Sequence, residues 1–110
     1  MKSKDALACL AALSQETRLA LFRRLVNTGP DGEKAGDLAD VIGAPAPTLS
    51  FHLKELEQAG LIAQRRDGRN IIYTARYDRM RDLLSYLMKD CCGGKPEICG
   101  DVLAKACCDA

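Results

Sequence analysis

Apolar residues recur along this chain at the three- and four-residue spacing of amphipathic helices, which predicts five helices. These helices should span approximately residues 4–13, 15–27, 34–42, 47–59 and 77–89. Ser14 is placed to cap the second helix, and Gly29 followed by Pro30 should end it. Gly43 should end the third helix, because glycine readily takes the left-handed conformation common at helix ends.

Each predicted helix carries an apolar stripe at helical spacing. The first three stripes are Leu7, Leu10 and Leu13; Leu19, Phe22 and Val26, with Leu21 and Leu25 beside them; and Leu38, Val41 and Ile42. The fourth helix has Pro47 in its first position, ends at Gly60, and should turn Leu49, Leu53 and Leu56 inward. The last helix carries Met80, Leu83, Leu84, Leu87 and Met88.

One β-hairpin is predicted between the fourth helix and the last. Residues 61–66 and 69–75 form its strands, and Asp67-Gly68 favours the positive backbone dihedrals of a two-residue turn. The fold class is therefore mainly α with one β-hairpin, in the order four helices, hairpin, last helix. Residues 1–90 should form one domain, and residues 91–110 a cysteine-rich C-terminal tail.

Composition narrows the class of protein. With 110 residues, of which 47% are hydrophobic and 28% charged, the chain has room for one core, which excludes a large multidomain enzyme. No apolar run approaches the roughly 18 residues of a membrane-spanning helix, and the first residues lack a leader pattern, so we expect a cytoplasmic protein without membrane association. The net charge is only +1, but six arginines and two aspartates between Gln64 and Arg81 give that segment +4.

Two short helices joined by a tight turn and followed by an arginine-bearing hairpin are the layout of a winged helix-turn-helix. The second helix of the pair would enter the major groove of double-stranded DNA, and the hairpin would contact phosphates beside it. The candidate DNA-binding residues are Thr48, Ser50 and His52 on the outer face near that helix start, Lys54 farther along, and Arg65, Arg66 and Arg69 in the hairpin. Alternatively, Thr48 and Ser50 merely satisfy the helix start, and His52 is a solvated surface imidazole.

Three stretches resemble, in order and spacing, the ArsR/SmtB family of bacterial metalloregulatory repressors over about residues 6–90. They are LSQETRLALFRRLV, APAPTLSFHLKELEQAGLI and RRDGRNIIYTARYDRMRDLL, and the signature S-x-H-L-x-x-L-x-x-A-G-L runs from Ser50 to Leu61. Gly68, Arg69 and Tyr73 match the family pattern too, whereas Phe51 stands where Arg or Lys is often found. The resemblance implies a homodimer, built by the first and last helices, that binds an imperfect palindrome and leaves DNA when an inducer binds.

Cysteine is distributed unevenly. Cys9 stands alone on a helix stripe and should be a small buried apolar residue, whereas Cys91, Cys92, Cys99, Cys107 and Cys108 crowd the last twenty residues. The Cys-x-Cys arsenic site of the family's third helix and the zinc site of its last helix are both missing. Soft thiolates select soft ions, so the remaining thiols favour trivalent arsenic as inducer.

We expect Cys91, Cys92 and Cys99 to bind As(III) through three sulfurs, with the Gly93-Gly94 pair letting the chain turn back. Antimonite or a methylated trivalent arsenical would suit the same chemistry, and no organic cofactor is expected. Cys107 and Cys108 could replace Cys99, form a second site, or bind a methylated arsenical.

The sequence therefore predicts a repressor of an arsenic-resistance operon, released from its operator by trivalent arsenic, and not an enzyme. One alternative keeps the DNA-binding fold but makes the thiols a redox switch. A small thiol reductase is disfavoured, because Cys91 and Cys92 follow a helix C-terminus, whereas thiols are activated at helix N-termini or beside cations. A flexible tail with incidental thiols is the remaining alternative.

Overall fold

The structure is a computed structural model that describes residues 1–89. Its elements are α1 (Ser3–Leu13), α2 (Glu16–Thr28), β1 (Glu33–Lys34), α3 (Ala35–Ile42), α4 (Ala46–Gln58), β2 (Ile62–Asp67), β3 (Asn70–Ala75) and α5 (Tyr77–Met88). The five predicted helices and the predicted hairpin are confirmed, with small shifts at their ends. The fold is a winged helix-turn-helix in which α3 and α4 are the pair and β2 and β3 form the wing. The predicted tail lies outside the described residues.

Two helix starts differ from the prediction. Ser14 does not cap α2; its Oγ donates to the carbonyl oxygen of Ala11 at 2.7 Å, at the end of α1. The cap is Gln15, whose Oε1 accepts the backbone N–H of Arg18 at 2.8 Å. An N-cap residue needs an extended backbone, which Gln15 has (φ −128°, ψ 136°) and Ser14 does not (φ −83°, ψ 19°). In α4 the helix begins at Ala46, so Pro47 is its second residue and not its first.

A short strand that the sequence did not predict extends the wing. In the three-stranded antiparallel sheet of order β1-β3-β2, Glu33 lies opposite Tyr73 and Lys34 opposite Ile72. Gly32, just before β1, has φ +78°, and a Cβ there would lie 2.5 Å from the carbonyl oxygen of Tyr73. A strand of two residues cannot show an alternating pattern, which is why periodicity misses it.

The first helix turns its small residues inward and its leucines outward. Ala6, Cys9 and Ala12 are buried, whereas Leu7 and Leu10 are exposed. Small side chains let the backbone of α1 approach α2 and α4 closely, so the leucine stripe is left on the other side of the helix. Some apolar residues of the other predicted stripes are exposed as well, namely Leu19 of α2, Val41 of α3, and Leu84 and Leu87 of α5.

The core lies where α1, α2 and α4 meet the sheet. Its fully buried side chains are Cys9, Leu21, Leu25, Leu38, Leu56, Leu61 and Ile62. Helix α5 joins this core through Leu83, and the Tyr77 hydroxyl donates to the Val26 carbonyl oxygen at 2.9 Å, at the end of α2. Within residues 1–89, no helix is both long and apolar enough to span a membrane.

Candidate nucleic-acid interface

The connection between α3 and α4 sets the orientation of the second helix. Gly43 ends α3 in the left-handed conformation with φ 75°, as predicted, and its N–H bonds to the carbonyl oxygen of Ala39 at 2.8 Å. Three leucines of α4 are buried, again as predicted: Leu49, Leu53 and Leu56. Because these leucines hold one face of α4 in the core, the opposite face is turned to solvent.

Three of the four candidate DNA-binding residues on α4 lie on this solvent side. Thr48, Ser50 and Lys54 are all exposed. Thr48 and Ser50 fall in the first half of the helix, the part that reaches base edges when such a helix enters the major groove. Their position leaves them available to DNA, and their contacts with it stay a prediction.

His52 does not lie on the outer face of α4, and the expectation that it does is wrong. Its side chain is only 8% exposed, and its Nδ1 lies 3.2 Å from Nη1 of Arg18 on α2. Because the guanidinium of Arg18 can only donate, Nδ1 of His52 acts as the acceptor in this contact. The helical spacing places His52 on the same side as Leu49 and Leu56, and it is the one buried polar residue of the described chain.

Arg18 links three helices through this contact. Its Nε donates to the carbonyl oxygen of Ala12 at 2.7 Å, at the end of α1, while its Nη1 holds His52 on α4. The His52 ring in turn meets the ring of Phe51 edge to face, with centroids 5.5 Å apart and planes at 62°. Sequence reasoning missed Arg18; the only available signal was a basic residue beside the apolar stripe of α2.

The turn of the wing is shifted by one residue from the prediction. Asp67 pairs with Asn70, so the two turn residues are Gly68 and Arg69, not Asp67 and Gly68. Gly68, with φ +64°, takes the first central position, where two-residue hairpins require a positive φ. The shift places Arg69 at the tip of the wing.

The wing arginines are not equivalent. Arg65, Arg66 and Arg69 are exposed, but Nη2 of Arg65 also donates to the backbone oxygen of Asp31 at 2.7 Å. Among the described residues, no hydrogen bond or ion pair involves the side chains of Arg66 and Arg69. The charges of Arg66 and Arg69 are therefore available to a ligand, and their contacts with DNA phosphates stay a prediction.

The base of the wing is attached to the end of α4. Gln64 donates through Nε2 to Oε2 of Glu57 at 3.0 Å. Partial burial, and then the charge of the Glu57 carboxylate, raise the pKa of Tyr73 on β3 above its ordinary value. Wing and α4 are thus held together by polar side chains as well as by the buried Leu61 and Ile62.

Two other arginines of the basic segment, Arg76 and Arg79, face carboxylates near α5. Arg76 pairs with Asp78 at 2.9 Å, and this hydrogen bond lowers the pKa of the Asp78 carboxyl. Arg79 lies 3.8 Å from Asp5 of α1. The concentration of positive charge between Gln64 and Arg81 is thus divided between the wing and α5.

Cys9 is a core residue, as predicted. It has no exposed surface, and its Sγ lies 3.5 Å from the carbonyl oxygen of Ala59. The predicted arsenic ligands, Cys91, Cys92 and Cys99, and the additional Cys107 and Cys108, lie outside the described residues. Within residues 1–89, no cluster of three or more His, Cys, Asp or Glu residues is placed to hold a metal ion.

Comparison with known proteins agrees with this geometry. A family model described as a helix-turn-helix domain matches residues 13–65. The HTH-type transcriptional regulator YgaV of Escherichia coli is 30% identical over 90 residues, which cover 82% of this chain and 89% of the relative.

Two solved structures share the fold. A homodimeric winged helix-turn-helix DNA-binding domain from Mycobacterium bovis, described as a possible ArsR-family transcriptional regulator, has a TM-score of 0.65 and 24% identity, covering 76% of each chain. A structure described as a possible transcriptional regulator for arsenical resistance has a TM-score of 0.63 and 28% identity, covering 71% of this chain and 78% of that one.

Proposed function

Since this chain belongs to the helix-turn-helix transcriptional regulators and has the winged fold of their ArsR family, we propose that it is an arsenic-responsive repressor. The observation that carries the DNA-reading part is the solvent face of α4, with exposed Thr48, Ser50 and Lys54, followed directly by the wing. Side chains of this kind contact base edges and phosphates in the major groove, while wing arginines bind neighbouring phosphates. Like its relative, the chain is a regulator and not an enzyme, and the thiol reductase alternative is set aside.

The proposed repressor acts as a homodimer on an imperfect palindrome. Leu7 and Leu10 of α1 and Leu84 and Leu87 of α5 are exposed, and α1 contacts α5 within the protomer. Exposed leucines on two neighbouring helices are consistent with a protein interface at this place. The M. bovis domain of the same fold is homodimeric, which supports a dimer built by the first and last helices.

The proposed inducer is trivalent arsenic, bound by thiolates of Cys91, Cys92 and Cys99. Helix α5 ends at Met88, so the first of these cysteines follows the dimerisation helix by three residues in the chain. Thiolates bind soft ions, and the fold is shared with a structure described as a possible regulator for arsenical resistance. Antimonite and methylated trivalent arsenicals belong to the same class of soft thiol ligand.

Repression would end because binding of the inducer by residues that follow α5 changes the relative orientation of the two protomers. Half-sites are about one helical turn apart, ~34 Å, so a small change in the separation of the two recognition helices weakens both contacts at once. A coupling of ~1–3 kcal/mol between inducer and operator would lower operator affinity roughly 5- to 150-fold. The site needs no contact with DNA to produce this effect.

The test is a fluorescence-anisotropy titration of arsenite against the protein bound to a labelled duplex from its own promoter. We expect release of DNA from the wild type, no release from the triple variant Cys91→Ser/Cys92→Ser/Cys99→Ser, and normal release from Cys9→Ala as the matched control. A complex that persists at saturating arsenite contradicts the proposed inducer. Release by peroxide but not by arsenite, with thiols kept reduced beforehand, would establish the redox switch instead.

A further inference from the structure

Phe51 is the large apolar side chain that α4 leaves in solvent. It is 56% exposed, although the buried face of the same helix has room for three leucines. The other exposed large apolar residues of the described chain lie on other elements or at the N-terminus. On a helix proposed to read DNA, an exposed phenyl group is a candidate for direct contact with the bases.

Phe51 lies at the middle of the outward face. Residues 47, 51, 54 and 58 follow one another at intervals of four, three and four, so they form a single line along the helix, and all four are exposed. Thr48 and Ser50 flank this line in the first turns. Phe51 is thus centred among the residues that would meet base edges, in the half of α4 nearest its N-terminus.

A contact with the neighbouring His52 ring helps to orient this phenyl group. Its edge-to-face contact with the His52 ring holds one side, and His52 is held by Arg18. An aromatic ring fixed in this way loses little conformational freedom on binding, which suits a direct contact with a base. It has no donor or acceptor with which to bind phosphate.

We propose that Phe51 selects thymine, by packing against the 5-methyl group that A·T pairs present in the major groove. This inference rests on the DNA-reading role proposed for α4. The thymine methyl is the apolar feature of the major groove, and phenylalanine is one of the side chains that contact it. At a G·C pair, the same ring would cover the N4 donor of cytosine or the O6 and N7 acceptors of guanine without replacing their hydrogen bonds to water, which is unfavourable.

The test begins with selection of tight-binding duplexes from a random 30-base-pair pool, using the full-length wild type and Phe51→Ala. We expect wild-type sites to contain a thymine in each half-site that Phe51→Ala no longer prefers. Each selected thymine is then replaced by uracil, which removes only the methyl group. Wild-type affinity should fall about fourfold per methyl, the equivalent of about 0.8 kcal/mol for burying one CH2 group. The affinity of Phe51→Ala should not change, and Phe51→Leu should retain part of the effect.

The outcomes separate the two proposals. If the wild type selects no duplex, the DNA-reading role itself fails. If it binds tightly but tolerates uracil at every position, only the thymine contact is overturned, and this result needs no variant to fold. Equal loss of affinity on all sequences by Phe51→Ala, without a uracil effect, would identify a ring inserted between base pairs and overturn the methyl contact. A changed sedimentation coefficient of Phe51→Ala, again without a uracil effect, would identify a protein contact and overturn it also.

Discussion

Replacing Arg18 with alanine should destabilise the fold far more than replacing a surface arginine. The change removes the charged donor to the Ala12 carbonyl oxygen and leaves Nδ1 of the buried His52 without its partner. A hydrogen bond from a charged group contributes about 1.5–3 kcal/mol, and a buried acceptor left unpaired costs about 1–3 kcal/mol. Arg18 is half-buried, which weakens the first contribution, so we expect a loss of roughly 2–4 kcal/mol.

The assay is urea and thermal unfolding at one fixed protein concentration, because the proposed dimer would make the midpoint depend on concentration. For a domain of this size each kcal/mol shifts the melting temperature by roughly 4–8 °C. Arg23→Ala is the matched control: it lies on the same helix, is exposed, and should change the free energy of unfolding by no more than about 0.5 kcal/mol.

A double-mutant cycle with His52→Ala tests the pairing itself. Because the two side chains share a contact, the double variant should be more stable than the two single losses imply, with a coupling between about 0.5 and 3 kcal/mol. Additive losses, within about 0.5 kcal/mol, would show that Arg18 and His52 act independently. Equal effects of Arg18→Ala and Arg23→Ala would refute the three-helix link.

Four further outcomes are expected. Gly32→Ala should lower the free energy of unfolding, as measured in urea, by more than roughly 1–2 kcal/mol. That range is the cost of placing a non-glycine residue in the left-handed conformation, and the new Cβ would in addition collide with β3. Arg69→Ala should weaken operator binding on all sequences and reduce the slope of log affinity against log salt by about 0.9, the value of one phosphate contact. Leu87→Lys should shift the sedimentation coefficient towards that of a monomer. Val41→Lys is the control: Val41 is 52% exposed and Leu87 51%, but Val41 lies on α3, outside the proposed dimer interface, so its replacement should not change sedimentation. The pKa of Tyr73 is raised in the folded state, so the free energy of unfolding of the wild type should fall as the pH rises from the ordinary tyrosine pKa, about 10, towards the folded one. Tyr73→Phe should lose less stability over this pH range, which urea unfolding at several pH values measures.

Periodicity predicts the helices well because each contributes several turns of pattern, and the buried leucines of α4 follow it residue by residue. It does not tell which face of a short helix is inward. In α1 the close approach of neighbouring helices buries Cys9 between two alanines and leaves the leucines outside, a choice set by tertiary packing.

The candidate site likewise has features that the sequence predicts and features that it does not. Exposure of Thr48, Ser50 and Lys54 follows from the burial of the leucines beside them, and could be predicted. The inward position of His52 follows from the same helical spacing, but its polar partner could not be predicted, because Arg18 lies on another helix, 34 positions earlier in the chain. The one-residue shift of the wing turn arises from the preference of Gly68 for the first turn position, a choice between two dipeptides that the sequence alone leaves close.

The two residues of β1 attach the wing to the neighbouring helices. Glu33 pairs with Tyr73 across the sheet, while its Oε1 accepts from Nε of Arg24 and from Oγ1 of Thr28, both at 2.8 Å. The wing is therefore held to α2 and to the start of α3 as well as to α4, and these contacts restrict its movement relative to α4. In the proposed homodimer, the rotation of one protomer against the other is then the movement on which an inducer would act. The thiols proposed to sense arsenic follow α5 in the chain, so a different sensing site could replace them without altering the residues of α4 that are proposed to read bases.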